Sequence, residues 1–139
     1  MTCWARVGGA EIAFVWREVH GYDLMHAAFG FQLERPLPPG APKPDREFGG
    51  YLLIPAPAAR PCRITEVTPM TGRTPGPYAE ALLGVGEVLP LADAYYEHVG
   101  GRFRFRGRGS REVESALKET ATGFRVSAVP MPAAETVAA

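Results

Sequence analysis

Six side chains that can hold or move a proton crowd into the first quarter of the chain: Glu11, Glu18, His20, Tyr22, Asp23 and His26. A histidine beside a carboxylate suits acid–base work near neutral pH, which makes His20, Asp23 and Glu11 the candidate catalytic groups. The spacing of His20 and His26 is not the i, i+4 pairing of a helical metal site, so no metal is expected. Asp23 also suits a helix N-cap, which would leave both histidines as surface or half-buried residues. Upstream, Arg6 precedes the Gly8-Gly9 turn. An arginine fork suits a carboxylate or phosphate, and a helix opening after the turn would offer free N–H groups to the same anion. Trp16, Tyr22 and His26 are the nearest candidates to line such a pocket. A second cluster, Tyr95-Tyr96-Glu97-His98, offers Tyr95 and His98 as further binding residues, or simply a strand with one tyrosine in and one out. Tyr51 and Glu66, expected on paired strands, would face the same space.

Other features point to bland roles. Arg102, Arg104, Arg106, Arg108 and Arg111 form a basic stripe. Beside Phe103 and Phe105 such a stripe can contact nucleic acid, but a solvated strand edge that discourages sheet-to-sheet pairing is the simpler expectation. The net charge is zero, so no global field steers the chain toward nucleic acid or a membrane surface. The two cysteines, Cys3 and Cys62, are too few for a disulfide framework and have no adjacent base, which fits small buried thiols in a reducing, cytoplasmic setting. No basic start with a long apolar run marks a secretory leader, and no apolar run approaches the roughly 20 residues needed to span a bilayer.

The elements that must position these groups follow from periodicity. Residues 10–19 predict a helix with Ile12, Val15, Trp16 and Val19 on one apolar face and Gly21 as its stop. Asp23 caps a second helix over 24–31, with Leu24, Ala27, Ala28 and Phe31 on one side. Residues 35–46 form a Pro-rich connector or a lid. Strands follow at 48–54 and 63–68, joined by a turn over 55–61 and most simply antiparallel to each other. Residues 69–77 are turn-rich, 78–83 a short strand or helical turn, and 87–91 a strand. Arg102 to Arg106 alternates strictly, placing Phe103 and Phe105 toward a core. Ser110 caps a helix to about Thr122 whose inner face is Val113, Ala116, Leu117 and Thr120, with Glu114 and Lys118 paired outside. A last strand covers 124–129. The fold class is α+β: two N-terminal helices, then a mostly antiparallel sheet with one further helix. Residues 1–129 form one domain and 130–139 a flexible tail.

The run from Arg6 to Leu24, the strand Gly49-Gly50-Tyr51-Leu52-Leu53-Ile54-Pro55 and the ending Val99-Gly100-Gly101-Arg102-Phe103 through Val113 together resemble the C-terminal part of ATP-grasp carboxylate–amine ligases, the L-amino-acid-ligase type in particular. The likeness covers about residues 5–129. It implies that Arg6 sits where the family arginine meets phosphates and the substrate carboxylate, and that Gly8 and Gly9 form the turn beside the substrate. Where that family carries its metal-binding Glu and Asn, this chain reads Thr2 and Trp4. The resemblance therefore implies a stand-alone domain with no cofactor that acts on or binds a small carboxylate-containing metabolite without ATP, through an acid–base cyclisation or rearrangement in bacterial secondary metabolism. The alternative is the C-terminal subunit of a split ligase that completes a separately encoded nucleotide-binding partner, with Trp4, Phe14 and Trp16 at the interface. A homodimer that covers the surface facing the missing domains is compatible with the first.

Overall fold

The computed structural model describes residues 9–36, 47–91 and 99–132. It is α+β. The order is α1 (Ile12–His20), α2 (Leu24–Gln32), β1 (Phe48–Pro55), β2 (Cys62–Val67), β3 (Ala79–Leu82), β4 (Val88–Leu89), β5 (Val99–Gly107), α3 (Ser110–Gly123) and β6 (Val126–Pro130). Every strand pairing is antiparallel. The strands form two sheets of three, ordered β1-β5-β3 and β4-β2-β6.

The expected hairpin between the strands at 48–54 and 63–68 does not form. β1 pairs along its whole length with β5, from Phe48 opposite Gly107 to Ile54 opposite Gly101, and β2 belongs to the other sheet. The segment between them carries Pro55, Pro57 and Pro61 and lacks the two-residue Gly or Asn turn of a tight hairpin. It crosses between sheets instead. The long β5 also matches β1 face for face: Leu52 opposes Phe103, and both lie in the larger core cluster with Met70, Phe105, Val113, Ala116 and Phe124. Phe103 and Phe105 are fully buried, and Phe103 meets Phe124 edge-on at 5.0 Å. The alternation read from β5 thus holds on its apolar side. A second cluster, Ala56, Cys62, Ile64 and Leu89, lies under the other sheet, and Val67 and Val126 pack against both clusters. A bulge between Ile64 and Glu66 in the pairing with β6 breaks the alternation expected of β2 and lets Val67 turn inward.

The paired glycines of β1 show how tightly the first sheet is sandwiched. A Cβ on Gly50 would lie 2.8 Å from Val113 of α3, and one on Gly49 would lie 2.5 Å from Val15 of α1. Neighbouring strand residues point to opposite faces. Helix α3 therefore covers one face of the sheet and α1 the other. On α3, Val113, Ala116 and Thr120 are buried as expected. Its N-cap is Gly109 rather than Ser110, and the Glu112 carboxylate does the capping by accepting from the Arg108 N–H at 2.7 Å.

On α1, Val15 and Val19 are buried and Gly21 closes the helix at φ 69, in the left-handed region. Trp16 does not join that face; it lies exposed on the flank. The face against the sheet is centred on Glu11, Val15, Glu18 and Val19, and a count of apolar residues misses it because two of its members are charged. Asp23 caps α2 as expected, accepting from His26 N–H at 2.9 Å. Phe31, placed on the inner side of α2 by its periodicity, is instead exposed.

Candidate functional site

The alternation that buries Phe103 and Phe105 sends Arg102, Arg104 and Arg106 to the opposite face, the one α1 covers. β5 is the central strand of its sheet, so the arginine stripe is not a strand edge; Arg102 and Arg104 are half-buried under α1 and Arg106 is exposed. Glu11 and Glu18 stand seven residues apart on α1, two turns along one face and about 10 Å of rise. Arginines two apart on β5 are spaced by about 7 Å, so two carboxylates can serve neighbouring guanidinium groups.

They do. Arg104 is held from both sides: its Nη1 meets Glu18 Oε1 in a short charged hydrogen bond, and its Nε lies 3.6 Å from Glu11 Oε2. Glu11 Oε1 also lies 3.8 Å from Arg102 Nη1. These pairings hold the Glu11 side chain at 10% exposure. The second oxygen of Glu18 accepts from the Tyr78 hydroxyl at 2.6 Å, from a residue just before β3. Burial, together with the hydrogen bond and charge of Glu18, pushes the Tyr78 phenol well above its ordinary value, while Arg104 and Arg106 oppose the shift. Tyr78 is therefore a fixed donor at neutral pH. Arg106 stacks over its ring at 4.8 Å, and Arg104 also lies 5.4 Å from the Phe14 ring. In the strand register Tyr51 flanks Arg104 on one side and Ala79 on the other.

Charge decides what this arrangement can do. Among the described residues, three guanidinium groups face two carboxylates. Arg104 consumes most of the negative charge, Arg102 keeps a single long contact and is 41% exposed, and among the described residues no carboxylate pairs with Arg106. The surplus is positive and carried by rigid strand positions, which suits an anion with oxygen acceptors.

Of the nominated catalytic and binding residues that the structure describes, only Glu11 joins this cluster. His20 is half-buried with its ring 4.8 Å from that of Trp16, on the flank of α1. Asp23 is occupied as a cap, and the His26 N–H holds its carboxyl below the usual range. His26 is exposed, Tyr22 half-buried, and Gly9 exposed just ahead of α1. No hydrogen bond or ion pair joins His20 to Asp23 or Glu11 among the described residues. Tyr51 and Glu66 stand on different sheets and do not share a space. Arg6, Gly8, Tyr95 and His98 lie outside the described residues, as do Thr2, Cys3 and Trp4. Tyr78 was not legible as a site residue: nothing local marks it, and only tertiary pairing carries its hydroxyl to Glu18.

Among the described residues no group of three or more His, Cys, Asp or Glu side chains is placed to hold a metal ion, and no helix is long and apolar enough to cross a membrane. The chain matches no protein-family model, no curated protein and no solved structure.

Proposed function

We propose that the chain binds a small carboxylate-containing metabolite on the arginine face of β5, without ATP or a metal. The observation that carries this is the unequal charge under α1: among the described residues no carboxylate pairs with Arg106, and Arg102 has a single long contact with Glu11. Arg104, clamped between Glu11 and Glu18, is the rigid floor of the site, and the Tyr78 hydroxyl holds the second oxygen of Glu18. The ATP-grasp resemblance agrees with a carboxylate ligand, and Thr2 and Trp4 in place of that family's metal ligands agree with binding that needs no nucleotide. Of the three nominated acid–base groups, Glu11 is ion-paired, Asp23 is held as a cap and His20 lies on the flank of α1 beside Trp16, so the reading is one of binding.

Calorimetric titration with a panel of mono- and dicarboxylic acids tests this. Saturable binding by the native chain and a loss of about 10- to 100-fold in Arg106→Ala is expected, the range of one or two charge-assisted hydrogen bonds. No saturation with any acid, or full affinity in the variant, refutes the assignment.

The exposed Phe14 and Trp16 on α1 favour a second reading, the split-ligase subunit. Co-purification with a nucleotide-binding protein encoded beside it, abolished by Trp16→Asp, is the expected outcome there.

A further inference from the structure

The two hydrophobic clusters are complete without the N-terminal helices. Among the described residues, every member of both clusters comes from the strands, α3 or the loops beside them, and none from α1 or α2. α1 buries Val15 and Val19 against Gly49, on the sheet face opposite α3, while α2 buries only Gly30 and packs chiefly on α1. Beyond those two valines, α1 is tied down by polar contacts: Glu18 to Arg104 and Tyr78, and Glu11 to Arg104 and Arg102. Water reaches the Arg102, Arg104 and Glu18 side chains. All of these contacts can break without exposing either cluster, and a segment held in this way opens at a lower free energy than the core it rests on.

We propose that α1 and α2 form a cover that lifts from the arginine face of β5 as one piece while the two sheets and α3 stay folded. The joint between the helices makes them move together. It is only Gly21-Tyr22-Asp23, closed on one side by the Gly21 N–H to the Arg17 carbonyl at 3.0 Å and on the other by the His26 N–H to the Asp23 carboxylate at 2.9 Å. With the cover down, Arg104 is clamped and Arg102 and Arg106 are left to receive an anion. With the cover up, Glu11 and Glu18 leave together, because one caps α1 and the other stands on it. Arg102 and Arg104 then lose their described carboxylates, and the Tyr78 hydroxyl loses its acceptor. The anion site exists only in the lowered position, so an anion bound there holds the cover down by mass action. The lifting rests on the contacts alone; that it gates an anion rests on the carboxylate reading.

Hydrogen exchange of the full chain, read residue by residue by NMR, tests both. The Val15 and Val19 amides are expected to be less protected than those of Phe105 and Ala116, which open only with the core. Val113→Ala, on the other side of the sheet, should speed exchange at Phe105 and Ala116 about tenfold and leave Val15 and Val19 unchanged. Glu18→Gln should speed Val15 and Val19 about tenfold. The acid of the mono- and dicarboxylic panel that saturates the chain, held at about 100 times its Kd, should slow them about 100-fold. Equal protection in α1 and the core overturns the cover. So does a Val113→Ala variant that speeds Val15 and Val19 as much as Ala116, because α1 then leaves only when the whole chain unfolds. A bound acid that leaves exchange in α1 unchanged overturns the gating and spares the carboxylate reading. If no acid of the panel saturates the chain, that reading falls, and the response to Val113→Ala decides the cover by itself.

Discussion

Replacing Glu18 by Gln tests the polar packing of α1 most directly. The change keeps the shape of the side chain and an oxygen that can accept from the Tyr78 hydroxyl, but removes the negative charge from the Arg104 guanidinium. Neither partner is fully wet: the Arg104 side chain is 23% exposed and that of Glu18 31%. A hydrogen bond to a charged group contributes about 1.5–3 kcal/mol when its partner is left unpaired. Water reaching a quarter to a third of each group screens part of that, and Glu11 still faces Arg104 Nε, so the lower end, about 1.5 kcal/mol, is expected. For a chain of this size 1 kcal/mol moves the melting midpoint by roughly 3 °C, so Glu18→Gln should melt about 5 °C lower. Because Gln keeps the acceptor, the double-mutant cycle pairs Glu18→Ala with Tyr78→Phe and should return a coupling of about 0.5–1.5 kcal/mol for their shared hydrogen bond. The assay is thermal unfolding followed by calorimetry and circular dichroism. A midpoint within about 1 °C of the native chain, with no coupling to Tyr78, refutes the view that α1 is docked through these ion pairs.

Three further outcomes follow from the same contacts. The phenol of Tyr78 has a folded pKa above its unfolded value of about 10, so the stability it confers is present below pH 10 and lost as the pH rises toward the folded value; relative to Tyr78→Phe, the native chain should lose stability with a slope that averages about 0.8 kcal/mol per pH unit in denaturant titrations between pH 9.5 and pH 11 and approaches about 1.4 above that. Gly49→Ala puts a methyl 2.5 Å from Val15 Cγ1 and must push α1 off the sheet, which should lower stability in urea titrations by about 1–3 kcal/mol and weaken carboxylate binding in parallel. Phe103→Ala empties the centre of the larger cluster and should lower stability by about 3–5 kcal/mol while leaving the helix content of any protein that still folds unchanged.

Much of the architecture was legible because simple rules govern it. The strict alternation of Arg102 to Arg106 gave the orientation of β5, the periodicity of Val113, Ala116 and Thr120 gave the buried side of α3, and Asp23 announced the start of α2. Pairing was not legible between β1 and β2, because adjacency in sequence argues for a hairpin and only the long-range match of Leu52 with Phe103 argues against it. The site was half legible. Glu11 stood out as a carboxylate and the arginines as a stripe. Their meeting depends on α1 lying across the sheet, which is signalled only by Gly49, too small to keep that helix away. Trp16 and Phe31 misled for a related reason: periodicity treats a large apolar side chain as inward-facing, and here charged residues took the inner side of α1 while α2 kept its bulk outside.

Val67 and Val126 pack against both clusters, so neither three-stranded sheet owns its inner wall. Loosening one strips lining from the other, and heat should find no stage at which half the chain has let go. The two layers would then melt as a single event, and damage at the Cys62–Ile64 end would be felt as far away as the arginine face.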